Sequence, residues 1–453
     1  MCIFYAQNAL RLGETMLVEF KVRNFRSIRD ELTLSMVATN ERDLPENTYQ
    51  VPGQKFSLLK TAAIFGANAS GKSNLVEAMV WAKAFILGQI EAGLDESIPT
   101  DMFQFREEEY TGSSEFHLQF IHHGEVYNYG FLLTDERIMF EKLDVFTRAR
   151  PRNLFFRSTD YDDVSHKWVE TYKFGPGVKG AHTRLIQQST RHNKLFLTRA
   201  AELNQPILRE VLDWFKSHWS MVFGRGIVGD SLKAQLSAIT SVVLEKEAEL
   251  KAKALELLKV ADLGIEALEI QTRNDLDPIA DRLLQPEARE VWKDLYKHRV
   301  RFKHIGSDSD NHGWIALEQE SHGTQKLYGL VAELLLVLQR NVCEVIDEID
   351  GGFHPLMVRD LVKLFQGTSS AQAAPQLIFT THDVSVLDNS LLRRDQIWFT
   401  EKDNTGNTSL VRLSDYKPRK GEALQRGYLS GRYGGIPLLD VAAFVAGGGD
   451  NEA

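Results

Sequence analysis

The run Gly66-Ala67-Asn68-Ala69-Ser70-Gly71-Lys72-Ser73 constrains this chain more than any other feature. It has the spacing of a phosphate-binding loop. Lys60 to Phe65, just before it, reads as a short buried strand. After it, Leu75, Val76, Met79, Ala82, Phe85 and Ile86 recur at helical spacing and predict a helix from Asn74 to Leu87. A strand, a glycine-rich turn and a helix together aim successive backbone N–H groups and the positive helix end at one anion. In that arrangement Lys72 reaches the β- and γ-phosphates of a nucleotide and Ser73 ligates Mg²⁺. Gly66 to Ser73 and the adjoining Asn74 form the candidate nucleotide-binding set.

A second signal is Val345-Ile346-Asp347-Glu348, an apolar strand that ends in two carboxylates. Asp347 can hold Mg²⁺, directly or through water. Glu348 can orient and polarise an attacking water as general base. These residues lie far along the chain from Lys72, so the nucleotide core is split. Its first half, with an antiparallel β lobe, is expected over 17–204, and its second half over 306–440. Between them, 205–305 is expected as a helical insertion lobe, because Leu232 to Val260 is rich in Ala, Leu, Glu and Lys. The Gly-rich, acidic end, 441–453, is expected to be disordered. Leu17 to Val22 and Leu32 to Met36 alternate as two opening strands, which makes Met16 a candidate start.

Two further segments fit the same chemistry. Ser321 caps a helix expected from Thr324 to Gln339, and Gly323 allows close backbone approach. His382, in Thr380-Thr381-His382-Asp383, follows the buried strand Gln376 to Thr380 and can reach a γ-phosphate or the reacting water.

Composition sets outer bounds. The chain has 453 residues, with 53 basic and 62 acidic, a net charge of −9 and 43% hydrophobic residues. This is a globular profile, and at about 150 residues per domain it suggests two or three packed units. Cys2 and Cys343 are the two cysteines, too few for a disulfide framework or a metal cluster, so a reducing cytoplasm is the expected compartment. No window of about 18 apolar residues occurs, so no membrane contact is expected. The start shows no secretion leader.

The order of these motifs resembles the ATPase heads of the ABC type, and more closely those shared by SMC proteins, RecF and the overcoming-lysogenization-defect nucleases. Ser321-His322-Gly323-Thr324-Gln325 stands at the signature position, departing from Leu-Ser-Gly-Gly-Gln. Asp347-Glu348 is similar to the Walker B end, Ile349 to His354 lies where the D-loop does, and His382 matches the switch histidine. Asn24-Phe25-Arg26-Ser27 resembles the first-strand motif of RecF and SMC heads. The likeness extends to stand-alone ATPases of bacterial abortive-infection loci, such as RloA-like proteins. Glu348 to Pro355 and Tyr428-Leu429-Ser430-Gly431-Arg432-Tyr433-Gly434-Gly435-Ile436-Pro437 carry it, and it covers Leu17 to Leu439.

This resemblance implies an α/β fold: a split ABC-type P-loop ATPase head with an antiparallel β lobe and an inserted helical lobe. It implies ATP and Mg²⁺ as cofactors and Arg26 near the nucleotide. It also implies that Ser321, Gly323 and Gln325 act in trans on a partner's ATP, within a homodimer or higher oligomer. The glutamine that such heads place before their helical lobe has candidates in Gln104, Gln187 and Gln188. Too few residues follow His382 for a nuclease domain, so any nuclease or toxin is expected as a separate effector subunit. No Asn-Lys-x-Asp guanine reader occurs, which favours ATP over GTP.

The basic run Lys293 to His304 is expected as a solvated helix face, with nucleic acid as its alternative ligand. Arg148 to Arg152 is expected as a loop, and His122-His123 as a hairpin turn. Two competing functions remain: a RecF- or SMC-like DNA-repair or DNA-clamping ATPase, and a nuclease or toxin with a fused ATPase.

Overall fold

The computed structural model describes residues 15–436 except 91, 94–95, 106–111, 148–149, 223–228, 262–263, 273–296, 305–312 and 368–373. The chain opens with β1 (Thr15–Arg23), β2 (Leu32–Ser35), the short pair β3 (Thr48–Gln50) and β4 (Ser57–Leu59), then β5 (Thr61–Gly66) and α1 (Lys72–Ile86). Next come β6 (Ser114–His122), β7 (Glu125–Leu133), β8 (Ile138–Thr147), β9 (Arg150–Asp162) and β10 (Lys167–Phe174). Helices α2 (Ala181–Ser189), α3 (Phe196–Glu202) and α4 (Pro206–Ser217) lead into β11 (Trp219–Val222). They are followed by α5 (Gly229–Lys246), α6 (Ala248–Val260), β12 (Ile265–Thr272), β13 (His298–His304) and β14 (Trp314–Ala316). The last part holds α7 (His322–Arg340), β15 (Cys343–Ile346), α8 (Pro355–Gly367), β16 (Gln376–Thr380), β17 (Ile397–Lys402), β18 (Thr408–Arg412) and α9 (Leu424–Leu429).

A six-stranded sheet in the order β11-β15-β16-β5-β17-β18 forms the nucleotide core. Its first five strands run parallel, and β18 returns antiparallel. β5 is buried on both faces, which explains its unbroken apolar sequence. Ala62 and Ile64 enter the cluster that contains Leu75, Val76 and Met79 of α1. Ala63 and Phe65 enter the opposite cluster, with Leu327, Leu330 and Val331 of α7. Ligands of such sheets bind beyond the carboxyl ends of the parallel strands. There β5 delivers Gly66, β15 delivers Asp347 and β16 delivers Thr381-His382.

The antiparallel lobe is larger than the sequence suggests. It is a seven-stranded sheet, β10-β9-β8-β7-β6-β1-β2, and it takes in both opening strands. β1 pairs with β6, setting Phe20 opposite Leu118, a contact that no local pattern reveals. Gln376 ties this lobe to the core sheet. Its amide accepts from Leu17 N–H at 2.7 Å and donates to the Leu17 and Leu59 carbonyls at 3.0 and 3.1 Å, all buried.

The stretch 205–305 corrects an expectation. It is not all helical. β11 joins the core sheet as its edge strand, and β12 and β13 pair with β14 in a separate three-stranded sheet. High helix propensity in Leu232–Val260 does produce α5 and α6, but tertiary pairing claims the flanks. The described part of the basic run lies on β13, not on a helix. Arg301 is paired with Glu269 of β12, and Lys303 lies 3.8 Å from Glu266. Arg150 to Arg152, expected in a loop, begins β9. The expected tail, 441–453, and Arg148 lie outside the described residues.

Candidate functional site

The phosphate loop is built between β5 and α1, as its sequence predicts. Gly71 caps α1 with φ 106°, a left-handed geometry suited to glycine. A Cβ at Gly66 would collide with Thr400 of β17, and one at Gly71 would meet the Thr408 side chain of β18. These threonines brace the loop. Ser70 Oγ lies 2.6 Å from Thr400 Oγ1, and Thr408 Oγ1 donates to the Ser70 carbonyl at 3.1 Å. Asn74 Nδ2 donates to Ser27 Oγ at 2.5 Å, and Ser27 in turn lies 2.8 Å from Thr408 Oγ1. Buried Lys72 donates to the Gly66 and Ala67 carbonyls at 2.9 and 3.0 Å.

Asp347 leaves β15 beside this loop. Its Oδ1 accepts from Thr380 Oγ1 at 2.6 Å, and Ser73 Oγ stands 3.5 Å away. Its Oδ2 is buried with no hydrogen-bond partner among the described residues. Glu348 follows in a left-handed conformation, φ 52°, with its N–H donating to Thr380 Oγ1 at 2.7 Å. His382 N–H faces Asp350, 3.4 and 3.3 Å from the two carboxylate oxygens. Partial burial, then the positive Lys72, push the His382 pKa down; Asp350, Glu348 and Asp347 oppose this.

Ser321 is the N-cap of α7, and its Oγ accepts from Thr324 N–H at 3.1 Å. Gly323 packs so closely on the Gly352 carbonyl that a Cβ would sit 2.8 Å from it. Gln325 turns back to donate to the Glu320 carbonyl at 2.9 Å. Lys326 donates to the carbonyls of Glu348, Ile349 and Gly351 at 3.2, 3.2 and 2.8 Å. The first turn of α7 is thus anchored to the turn that follows Asp347-Glu348 in the same chain.

Arg26 lies beside the helix that follows the loop, its guanidinium paired with Glu77 of α1 and with Asp101. Ser27, one position on, contacts Asn74 and Thr408. Of the candidate glutamines, Gln187 and Gln188 lie on α2, and Gln104 is exposed three positions from Asp101. Sequence reasoning also missed Thr380, Thr400, Thr408 and Lys326. Thr380 and Lys326 adjoin the motifs around His382 and Ser321, but only contacts across the fold show what their side chains do.

A glycine loop at the end of a central parallel strand, with a carboxylate pair at the end of a strand two places away, defines an α/β P-loop head of the ABC type. The chain belongs to the family described as "AAA domain, putative AbiEii toxin, Type IV TA system", which matches residues 62–388. Among solved structures, the SMC head domain from Thermotoga maritima is similar at 14% identity and TM-score 0.41, over 87% of this chain and 98% of that one. An SMC head bound to the C-winged helix domain of ScpA is similar at 14% identity and TM-score 0.40, over 87% and 96% of the two chains. A third, an SMC head with an extended coiled coil bound to the C-terminal domain of ScpA derived from Pyrococcus furiosus, also gives 14% and 0.40, over 89% and 98%. No curated protein matches the chain. Among the described residues, no helix is long and apolar enough to cross a membrane.

Proposed function

We propose that this chain binds and hydrolyses ATP, closes on a second copy when ATP is bound, and regulates a separate effector in bacterial anti-phage defence. The observation that carries the first step is the convergence of Lys72, Ser73, Asp347, Glu348 and His382 at one end of the core sheet. The loop N–H groups and the α1 N-terminus take the phosphate oxygens. Lys72 exchanges two loop carbonyls for the β- and γ-phosphates. Glu348 orients the attacking water and accepts its proton, and His382 hydrogen-bonds at the γ-phosphate.

The donor set fits Mg²⁺. Asp347 Oδ2 is a buried oxygen with no hydrogen-bond partner among the described residues, and the Ser73 hydroxyl is 3.5 Å from the same carboxylate. Those two side chains would hold the ion, which neutralises charge on the triphosphate.

In a dimer, α7 would carry the signal between sites. Lys326 joins the turn holding Glu348 to the helix capped by Ser321, so a partner's nucleotide at Ser321, Gly323 and Gln325 bears on the local carboxylates. The effector and defence reading is supported by the toxin–antitoxin description of the family. Within the basic run, Arg301 and Lys303 are paired with glutamates of β12, which leaves those two less available to a phosphate backbone.

The test is phage infection of cells carrying the chain with its neighbouring reading frames. Glu348→Gln is expected to abolish protection while the protein level is unchanged. Full protection by that variant would overturn the reading.

A further inference from the structure

Glu348 adopts a left-handed backbone, which costs a residue with a side chain about 1–2 kcal/mol. Such geometry persists only where the surroundings over-determine it. Its N–H is taken by Thr380 Oγ1 and its carbonyl by Lys326. Thr380 does more than this. Its Oγ1 lies 2.6 Å from Asp347 Oδ1, and its own carbonyl accepts from Ile349 N–H at 3.1 Å. One residue therefore bonds to three successive positions, 347, 348 and 349.

The hydroxyl direction follows from counting hydrogens. A threonine hydroxyl has one hydrogen and two lone pairs. Because Oγ1 accepts from Glu348 N–H, its hydrogen points to Asp347 Oδ1. That bond fixes Oδ1, which the Ser73 hydroxyl also approaches at 3.5 Å, while buried Oδ2 has no hydrogen-bond partner among the described residues. Thr380 is fully buried, and its strand is pinned between β15 and β5, where it pairs with Ile64. Its Oγ1 is thereby a fixed point.

We propose that Thr380 is a positioning residue for both carboxylates: its one hydroxyl holds the Asp347 carboxylate in its orientation at the cation site and sets the direction in which Glu348 leaves the strand. This rests on the reading of Asp347 and Glu348 given above. Thr380→Val keeps the shape and removes the hydroxyl; Thr380→Ser keeps the hydroxyl.

The experiment measures affinity for a non-hydrolysable ATP analogue across a Mg²⁺ titration, beside steady-state hydrolysis. In Thr380→Val the Mg²⁺ half-saturation point is expected to rise about 10- to 100-fold, with Mg²⁺-free analogue affinity unchanged and kcat reduced. Thr380→Ser is expected to stay near the unmodified protein. An unchanged Mg²⁺ midpoint in Thr380→Val, or a Ser variant as impaired as Val, overturns the proposal. If Thr380→Val lacks a cooperative melt, Thr380→Ala is read in the same way. Loss of the melt in both shows a merely structural role and also overturns it. Lys72→Ala and Asp347→Asn run alongside. If neither alters nucleotide or Mg²⁺ binding, the site reading fails; if both do and Thr380→Val does not, the Thr380 inference fails alone.

Discussion

Ser73 Oγ and Asp347 Oδ1 lie 3.5 Å apart, although 274 positions of chain separate the two residues. The sheet brings them together. β5 and β15 both pair with β16 in parallel, so their carboxyl ends open onto the same side. A helix N-terminus and a strand-end carboxylate then stand side by side, which is the arrangement a metal-bound triphosphate needs.

Lys72 is buried and bonded to the Gly66 and Ala67 carbonyls, so its ammonium is held at the mouth of the loop. Lys72→Ala should lower ATP affinity by about 100-fold, the loss of charge-assisted hydrogen bonds worth about 3 kcal/mol. Titration calorimetry measures this. An affinity within about threefold of the unmodified protein would contradict the assignment.

Glu348→Gln retains the shape and the backbone bonds to Thr380 and Lys326, but it removes the base. ATP binding should persist, while turnover falls about 10²- to 10⁴-fold. Light scattering after size exclusion should then show a stable dimer in ATP and Mg²⁺. Normal hydrolysis by this variant would mean that another group takes the proton.

Ser321→Arg places a bulky cation at the cap of α7, a position whose side chain makes no hydrogen bond with Gly66 to Ser73 among the described residues. Nucleotide binding should be spared and hydrolysis lost. Mixing this variant with Lys72→Ala should restore about one working site per dimer. If the mixture stays inactive at saturating protein, the site is not shared between chains.

The antiparallel lobe should respond to acid. His122 lies against His123 and near His218, with ring centroids 4.0 and 6.0 Å apart. Burial, then His123 and His218, push the His122 pKa down to about 3, against a backbone hydrogen bond at Glu210. Burial, then His123 and Arg340, push that of His218 down to about 4. Unfolded histidines take up protons near pH 6.5, and these folded ones do not. Their contribution is thus full above pH 6.5 and falls as pH drops towards 4 and 3, by about 1.4 kcal/mol per pH unit for each ring. Glu141 and Glu344 act in the opposite sense, because burial raises their pKa values. The informative measurement is therefore a difference. His218→Gln should make melting temperature less sensitive to pH between 6.5 and 4.5 than in the unmodified protein. Parallel profiles would contradict the account.

Short-range physics was legible in the residues themselves. Gly66 to Ser73 specifies its own loop, because a left-handed Gly71, exposed N–H groups and a following amphipathic helix are local properties. Val345 to Glu348 likewise announces a buried strand with charges at its end, and Ser321 a helix cap. Tertiary structure alone decided the rest. Strand pairing is a non-local choice, so nothing near Leu17 shows that β1 closes onto β6, or near Trp219 that β11 edges the core. The pairing of Arg26 with Glu77 and Asp101 likewise joins residues far apart in the chain. Thr380 became the hinge of the carboxylate pair because parallel strands set its hydroxyl between Asp347 and Glu348, and a hydroxyl's partners follow from its place in the fold.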